Sequence, residues 1–517
     1  MKLFIKWVLP LLSGVLLILI FPKFNLSFLA WVCLLPLFRV CRNQQKIGSF
    51  LAGFFCGLIA YCGILYWIVP TCLAAEQTWF LAGGCLALLA AYLAVYLGVF
   101  SLGCHFFFRQ NRNYFFACLM PAVLWVSLEY LRSHLFTGFP WMLIGYSQWA
   151  NLPVIQFSEY TGVYGVSFLV VLINATIFRL FRNPQSAIRN CIVPAIIFSL
   201  SFLIYQSRNE YFNSAIRNPQ SAILKVALLQ GNIDQYKKWS KTYEKDILRT
   251  YEKLAALASR YQPVLIIWPE TALPGDLAAD AGMYNWVRQL AQNSGTSHLI
   301  GSIHQKQRRY FNSAFLVNSR GEIVGEYDKI HLVPFGEYVP FSALLSRCIK
   351  VLNELGGFQS EKKYQTLASP AGNLAVNICF EAIFPNLVRK LVKAEGEIIV
   401  NLTNDAWFLS TAAPYQHFIM NIFRAVENRR PLLRCDNTGI SGYIDPLGRI
   451  KNQTKIFQTT VEMVDLTLPV KKPKTFYTRF GNVFAQTCLL VLLTVITGYF
   501  LRKKSKEAAK WLEEWLN

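Results

Sequence analysis

Long apolar runs fill the N-terminal part of this 517-residue chain, and one more lies near its C-terminus. A helix needs about 20 mostly apolar residues to cross a bilayer. Eight runs have this character, at residues 3–22, 25–41, 49–70, 80–104, 114–131, 163–181, 190–206 and 482–501. The second is short and is interrupted by Pro36. The pattern predicts a membrane domain of seven transmembrane helices over residues 1–207 and an eighth transmembrane helix within 471–517.

Between the seventh and eighth runs, strand and helix patterns alternate in a more polar segment. Apolar, β-branched stretches typical of buried strands fall at 224–229, 264–268, 298–303, 313–318, 372–378 and 397–402. Amphipathic helical patterns fall at 242–260, 281–293, 384–394 and 413–429. The alternation predicts a layered α/β domain over residues 223–470. The long loop at 345–365 mixes apolar residues with glycines, as loops that gate sites often do.

One seven-residue segment, RNPQSAI, occurs twice, at 182–188 and 217–223. A structural repeat would need an apolar face to bury, and this segment has almost none. We interpret both copies as inserted low-complexity sequence. Residues 208–222 are accordingly expected to form a linker.

The basic residues predict how the chain is oriented in the membrane. They follow the second, fourth, sixth and eighth apolar runs, whereas the loop at 71–79 has no Lys or Arg. Basic loops stay on the cytoplasmic side. Both termini, including the basic tail, are therefore expected in the cytoplasm. The polar segment is then on the opposite side, which in a bacterium is the periplasmic side of the inner membrane.

Composition favours a membrane protein over a nucleic-acid-binding one. The chain is 54% hydrophobic and 15% charged, and its net charge is +22. Because the basic residues flank apolar runs, they suit anionic lipid headgroups, and we expect no nucleic-acid partner. Most of the thirteen cysteines lie inside apolar runs, where cysteine is a small hydrophobe. Their spacing indicates neither a disulfide framework nor a metal site.

Three residues of the polar segment carry candidate chemistry. Cys379 ends the strand-like run LAVNIC, where a following helix would favour a thiolate. Glu270 follows the run VLIIWP and is placed to take a thiol proton. Lys329, in YDKIHLVP, could stabilise an oxyanion. Together they predict acyl transfer through a thiol, and their attachment to a membrane bundle points to lipid as the acyl source.

Other residues of the segment leave alternatives open. Glu337 could orient Lys329 or assist the base, and Glu381 could line the same pocket or begin the helix after Cys379. A Cys–His dyad with His331 is possible on residue type alone, and His304 and His417 lie in the same segment. Spacing for a zinc site is missing from the sequence.

The motifs WPE, DKIHLVPFGEYVP and NICFE resemble the nitrilase superfamily of carbon–nitrogen hydrolases. Joined to eight apolar runs, they resemble its membrane-bound branch, the bacterial apolipoprotein N-acyltransferase family. GFPWMLIGYSQ at 138–148, GVYGVSF at 162–168 and LLQGNIDQYKKW at 228–239 extend the resemblance over nearly the whole chain. The RNPQSAI segments lie outside the family pattern.

The resemblance implies an αββα sandwich joined to a multi-span helical bundle, with a catalytic triad on Glu270, Lys329 and Cys379. It also implies that Glu337 and Glu381 are supporting acids and that Trp239 belongs to a mobile lid. Phe380 stands where a Tyr is common, so the aromatic ring is retained.

The implied reaction transfers an acyl chain from a phospholipid to Cys379 and then to the amine of a diacylated lipoprotein. It needs no cofactor and no metal, and a monomer is expected to carry it out. Two other classes remain. A membrane-tethered amidase or nitrilase would need one or two spans rather than eight. A transporter would be expected to have more ionisable residues in its spans than this chain has.

Lipid access leads to one further expectation. Phe139, Trp141, Tyr146 and Trp149 lie in the loop before the sixth run, at the predicted outer face of the membrane. Trp and Tyr favour that interface. We therefore expect these rings at the level of the headgroups, beside a thioester site that opens sideways to lipid.

Overall fold

The structure is a computed structural model, and it describes residues 2–110, 115–181, 187–217, 222–235, 237–238, 240–339, 357–468 and 473–516. Its N-terminal part is helical. The helices are α1 (Lys2–Leu19), α2 (Leu35–Asn43), α3 (Lys46–Ile64), α4 (Ile68–Ala74), α5 (Trp79–Gln110), α6 (Met120–Arg132), α7 (Leu152–Ile155), α8 (Ser158–Thr161), α9 (Val163–Leu180) and α10 (Ala187–Arg217).

Several of these helices have the dimensions of membrane spans. Within the described residues, five segments are long and apolar enough to cross a bilayer: Lys46–Ile64, Trp79–Arg109, Val163–Leu180, Cys191–Ser214 and Val483–Ser505. They coincide with the third, fourth, sixth, seventh and eighth predicted runs. The first run forms α1, and the fifth forms a π-helical turn, Phe115–Leu119, that continues into α6. The chain is a membrane protein with a multi-span helical bundle.

The second predicted span is not one helix. Ser27–Trp31 is a 3-10 helix, and α2 begins separately at Leu35 and has only nine residues. Pro36 lies in the first turn of α2, where a missing backbone N–H costs nothing, so it starts this helix rather than interrupting a longer one. Leu37, Phe38 and Val40 are fully buried. The run is therefore apolar because it packs inside the bundle.

The α/β part contains twelve strands and four helices among the described residues. The strands are β1 (Ala222–Gln230), β2 (Leu265–Ile267), β3 (Ser297–Lys306), β4 (Arg309–Val317), β5 (Ile323–Asp328), β6 (Leu367–Ser369), β7 (Gly372–Ile378), β8 (Ile398–Thr403), β9 (Leu432–Asp436), β10 (Gly442–Ile444), β11 (Ile450–Gln453) and β12 (Thr460–Leu468). The helices are α11 (Lys241–Ser259), α12 (Ala281–Ser294), α13 (Pro385–Lys393) and α14 (Ala413–Asn428). The short α15 (Phe476–Phe480) and the long α16 (Val483–Leu516) follow. All six predicted strands and all four predicted helices are confirmed.

The strands form two six-stranded sheets, in the orders β12-β1-β2-β3-β4-β5 and β11-β10-β9-β8-β7-β6. Successive side chains of a strand face opposite sides, so a strand that is apolar throughout buries both faces. In β1, Val226 and Leu228 belong to the core cluster that includes the second sheet, whereas Ala227 and Leu229 pack with Tyr251 of α11. The result is the expected αββα sandwich.

The linker expected at 208–222 is partly helical, because α10 continues to Arg217. Arg208 on this extension forms an ion pair with Glu159 of α8. Residues 182–186 and 218–221, which hold most of both RNPQSAI copies, lie outside the described part of the chain, as do residues 345–356 of the loop predicted at 345–365.

Buried ion pairs join the helical bundle to the sandwich. The Glu159 carboxylate accepts a hydrogen bond of 2.6 Å from Nε of Arg429, directly after α14. Nearby, the Glu427 carboxylate accepts a 3.0 Å bond from the backbone N–H of Val163 and a 2.8 Å bond from Arg424. Desolvated charges of this kind are tolerated only when paired, so these contacts fix where α14 lies against the bundle.

This junction can be tested with Glu159→Ala, which removes the carboxylate that Arg429 and Arg208 share. Arg429 would be left buried without its anion, and breaking a buried pair costs about 3–5 kcal/mol. We expect a lower melting temperature for the detergent-purified protein. The control is Asp246→Ala, which removes an exposed i,i+3 pair with Arg249 and should have almost no effect. Equal shifts for the two variants would show that the junction does not depend on this pair.

Candidate active site

Glu270, Lys329 and Cys379 lie beyond the carboxyl ends of three strands. Glu270 follows β2, Lys329 directly follows β5, and Cys379 directly follows β7. β2 is parallel to β3. β4 is antiparallel to both β3 and β5, so β5 runs in the same direction as β2 and β3. The segments of Glu270 and Lys329 therefore leave the first sheet at the same edge. Cys379, which follows a strand of the second sheet, lies close enough for both charges to act on its thiol, so the structure brings the predicted residues together.

Lys329 is the buried cation of the site, with a side chain that is 1% exposed. Its Nζ donates to Glu270 Oε1 at 3.2 Å and to Glu337 Oε1 at 2.9 Å. Burial alone would lower the pKa of the Lys329 ammonium, but the two carboxylates outweigh it and raise that pKa above its ordinary value. Lys329 is thus a fixed positive charge between two acids.

Asn312 was not identified from the sequence, although it connects the same groups. Its Nδ2 donates to Glu270 Oε1 at 2.7 Å and to Glu337 Oε1 at 2.9 Å. The Asn312 carbonyl also accepts from the backbone N–H of Lys329 at 2.9 Å. Since Asn312 lies within β4, it attaches the acid–lysine cluster to the sheet. An inward-facing Asn within an otherwise apolar strand is the signal that could have revealed it.

Cys379 stands at a sharp turn between β7 and the 3-10 helix Cys379–Ile383. Its backbone φ is +51°, in the left-handed region that residues other than glycine seldom adopt. Such a turn costs about 1–3 kcal/mol unless its surroundings enforce it. The geometry presents the half-buried thiol at the end of the strand.

The electrostatics of Cys379 differ from the sequence-based expectation of a stabilised thiolate. Removal from water raises the pKa of the Cys379 thiol well above its ordinary value, and the Glu270 carboxylate raises it further. The Lys329 ammonium opposes both effects. The resting residue is therefore a neutral thiol, and it needs a base to remove its proton. Glu270 is the carboxylate with the strongest electrostatic influence on it.

Glu337 and Glu381 support the loop that carries Lys329. Glu337 Oε2 accepts from the backbone N–H of Val333 at 2.8 Å. Glu381 Oε1 accepts hydrogen bonds from the backbone N–H groups of Ile330, at 2.6 Å, and His331, at 3.0 Å. Its Oε2 accepts from the backbone N–H of Ile378 at 2.6 Å and from Tyr327 Oη at 2.9 Å. Glu381 thus ties the segment after β5 to the turn at Cys379.

The histidines occupy different places. The His331 ring packs against Phe384, with centroids 3.9 Å apart, and Phe380 lies beyond it at 6.0 Å. Burial lowers the pKa of His331 to about 4. His304 contacts Asp276 at 3.1 Å, and His417 reaches the Cys379 carbonyl at 3.1 Å. None of these contacts forms a Cys–His dyad through the thiol of Cys379.

The predicted lid residue Trp239 lies outside the described residues, but its neighbour Lys238 is described and was missed from the sequence. Lys238 is 1% exposed, and its Nζ donates to the Glu270 carbonyl at 3.1 Å and to Thr271 Oγ1 at 2.7 Å. Burial lowers the pKa of Lys238 to about 7. The segment before α11 is therefore anchored to the chain at Glu270 and Thr271.

Two rings of the aromatic stretch before α7, Trp141 and Tyr146, are covered by protein and do not face lipid. Trp141 is 2% exposed and Tyr146 is fully buried, and Phe139 and Trp149 are half-buried. Trp141 Nε1 donates to Gln416 Oε1 at 2.8 Å, and Tyr146 Oη accepts from Arg424 at 3.2 Å. Both partners belong to α14, so these two rings lie at the interface between the helical bundle and the sandwich.

Two family models together match most of the chain. Residues 13–176 match the family described as apolipoprotein N-acyltransferase N-terminal domain, and residues 225–471 match carbon-nitrogen hydrolase. The chain is 38% identical over 509 residues to the apolipoprotein N-acyltransferase of Geobacter metallireducens, covering 96% of each protein. It is 31% identical over 529 residues to that of Haemophilus influenzae, covering 97% of each.

Among solved structures, the sandwich resembles a nitrilase-superfamily amidase from Nesterenkonia AN1. The two are 19% identical, with a TM-score of 0.37, and the match covers 47% of this chain and 92% of the amidase.

The opposing influences of Lys329 and Glu270 on the Cys379 thiol can be measured by alkylation with iodoacetamide. Lys329→Met removes a cation that lowers the thiol pKa, so the thiolate fraction and the alkylation rate at mildly alkaline pH should fall. Glu270→Gln removes an anion that raises the pKa, so the rate should rise. Peptide-resolved mass spectrometry would follow Cys379, with buried Cys435 as the internal control. Changes in the same direction would contradict this electrostatic arrangement.

Proposed function

The chain belongs to the apolipoprotein N-acyltransferase family, and from that premise we propose that Cys379 carries the acyl chain as a thioester. The protein is a membrane-bound acyltransferase of lipoprotein biosynthesis, and its acceptor is an apolipoprotein. The observation that carries the proposal is the buried arrangement of Lys329 between Glu270 and Glu337, beside a thiol at a strained turn. It supplies a base, a cation and a nucleophile at one place.

In the first step, Glu270 takes the proton of Cys379 as the sulfur attacks the ester carbonyl of a phospholipid. A carbon–sulfur bond forms, and the ammonium of Lys329 faces the negative charge that develops on the oxygen. The ester carbon–oxygen bond then breaks. The lysophospholipid leaves with the proton from Glu270, and Cys379 remains as a thioester.

In the second step, the free amine of a diacylglyceryl-cysteine apolipoprotein attacks the thioester. The carbon–nitrogen bond forms, the carbon–sulfur bond breaks, and a proton returns to the thiol of Cys379. The amide product is more stable than the thioester, so transfer needs no nucleotide, metal or coenzyme. A covalent relay suits two lipid substrates that occupy one site in turn.

The remaining parts of the proposal concern place and assembly. The helical bundle at 1–207 and the span within 471–517 hold the protein in the bacterial inner membrane. The catalytic domain at 223–470 lies on the periplasmic side, the lid carries Trp239, and Phe380 lines the pocket beside the thiol. The monomer is the working unit. The distribution of basic residues supports this orientation, because they follow the second, fourth, sixth and eighth apolar runs and are missing from the loop at 71–79.

The acyl donor can be tested with purified protein, radiolabelled phospholipid and a diacylglyceryl lipopeptide, with and without a chelator. We expect an acyl adduct on Cys379 and label in the peptide in both tubes, with no added nucleotide or coenzyme A. Cys379→Ala should abolish both signals, because the relay has no other nucleophile, whereas Cys435→Ala should keep them. A need for acyl-coenzyme A, or label only in free fatty acid, would point instead to another donor or to a hydrolase.

The orientation can be tested by placing single cysteines at Ser319 and Ser505, which are both exposed. In intact cells with a permeabilised outer membrane, an impermeant maleimide should label position 319 in the sandwich and spare position 505 in the basic tail. After lysis both should react, which controls for accessibility. Labelling at both positions in intact cells would mean that the number of spans is even between them.

A further inference from the structure

The carbonyl oxygen of Cys379 contacts a buried group of polar side chains. We call this group the carbonyl cluster and define it as Asn401, Asp405, His417, Arg434 and Asp436. All five residues are at most 1% exposed. His417 Nε2 lies 3.1 Å from the Cys379 oxygen, and Asn401 Nδ2 lies 3.4 Å from it. The reaction steps described above leave this cluster without a role.

Strand register explains why these side chains meet. β7, β8 and β9 are parallel neighbours, and Asn401 of β8 pairs with Asn377 of β7 on one side and Arg434 of β9 on the other. Parallel strands bring their carboxyl ends to one edge, so Asp405 and Asp436 arrive beside Cys379. The α14 helix then crosses this edge and supplies His417.

The contacts of His417 determine where its proton is. A carbonyl oxygen can only accept, so Nε2 is the donor to Cys379. Nδ1 lies 3.2 Å from Arg434 Nη2, which can only donate, and 2.9 Å from Asp405 Oδ1. Burial and the Arg434 charge lower the pKa of His417 well below its ordinary value. Nε2 therefore carries the proton that is donated to the Cys379 carbonyl, and the short contact between Nδ1 and Asp405 Oδ1 is made through a second, shared proton.

The remaining members of the cluster hold His417 and Asn401 in these positions. Arg434 donates to Asn401 Oδ1 at 2.6 Å, to Asp405 Oδ2 at 2.6 Å and to Asp436 Oδ2 at 3.0 Å. One guanidinium thus fixes both donors that face the Cys379 carbonyl. Such second-layer partners commonly fix the tautomer and the ring orientation of a histidine.

Holding the Cys379 carbonyl also fixes the amide that follows it. In a trans peptide the N–H points opposite to the C=O across one rigid plane. Because the Cys379 oxygen faces the carbonyl cluster, the N–H of Phe380 faces away from it. Phe380 lies in the first turn of the 3-10 helix, where N–H groups have no partner within the helix. That amide is available to an oxygen formed at the thiol.

We propose that His417 is a positioning residue for acyl transfer, which holds the Cys379 carbonyl so that the Phe380 N–H faces the oxyanion together with Lys329. The proposal rests on the proposed function of Cys379. The residue held in this way is the one whose backbone is in the left-handed region. Losing one oxyanion donor typically costs about 10²–10³ in rate, so misdirecting this amide should cost a similar factor.

The test compares two isosteric substitutions of His417. In His417→Gln the side-chain amide nitrogen occupies the place of Nε2 and can still donate to the Cys379 carbonyl. In His417→Asn it reaches only the place of Nδ1, beside Asp405 and Arg434. We expect His417→Gln to form the thioester from phospholipid within about tenfold of the wild-type rate, and His417→Asn to lose about 10²–10³.

A second measurement separates positioning of the amide from general damage. Alkylation of Cys379 by iodoacetamide forms no oxyanion, so both variants should be alkylated within about threefold of wild type. The control His304→Gln changes a histidine whose partners are Asp276 and Glu326, and it should leave both rates unchanged. Asn401→Ser, which removes the longer and weaker bond to the same carbonyl, should slow thioester formation about three- to tenfold and spare alkylation.

The outcomes distinguish a failure of the proposed function of Cys379 from a failure of the proposed role of His417. If wild-type protein forms no thioester on Cys379, the proposed function fails and His417 has nothing to position. If wild type forms it and His417→Asn forms it equally fast, or if thioester formation and alkylation fall together in both variants, this inference is wrong. Rescue by Asn but not by Gln would show that His417 acts through Asp405 and Arg434 alone.

Discussion

The buried ammonium of Lys329 is the constraint on which the rest of the site depends. A lysine that is 1% exposed is tolerated only with its charge paired, and two carboxylates share it. Glu270 and Glu337 come from different segments, and Asn312 of β4 holds both at 2.7 and 2.9 Å. These bonds can form only when the three strands lie in one sheet, with the ends of β2 and β5 at the edge where the antiparallel β4 begins. The sheet order and the pairing of the cation therefore require each other.

Around this cation, the charges divide the chemistry between residues. Lys329 favours the anionic forms of its neighbours, whereas Glu270 opposes a second anion at Cys379. The thiol consequently stays neutral until its proton has somewhere to go. That state suits an acyltransferase that must remain unreactive between encounters with its substrates. The site thus combines a neutral Cys379 thiol with the nearby carboxylate of Glu270, and it does not hold a preformed thiolate.

The α14 helix is the element through which bundle and sandwich affect one another. Gln416 accepts from the indoles of Trp67 and Trp141 at 3.2 and 2.8 Å and donates to the Ile64 carbonyl at 3.0 Å. The next residue, His417, contacts the Cys379 carbonyl. Two consecutive residues of α14 thus connect the C-terminal end of α3 and the loop before α7 to Cys379. A displacement of the bundle at the contacts of Gln416 would therefore act, through His417, on the turn at Cys379.

Most elements of the fold and the candidate residues of the site could be predicted from the sequence. Local sequence is enough to predict apolar runs of span length, strands that are apolar on both faces and the three candidate residues that follow strands.

Contacts between residues far apart in the chain set the other features. Pro36 starts the short helix α2, which is buried inside the bundle, and Trp141 and Tyr146 are buried where they hydrogen-bond to α14. Asn312, Lys238 and the carbonyl cluster act through contacts between residues far apart in the chain, and the pKa of Cys379 follows from its burial and from charges on other segments. Residue order alone does not contain those distances, because they exist only after the two sheets have packed.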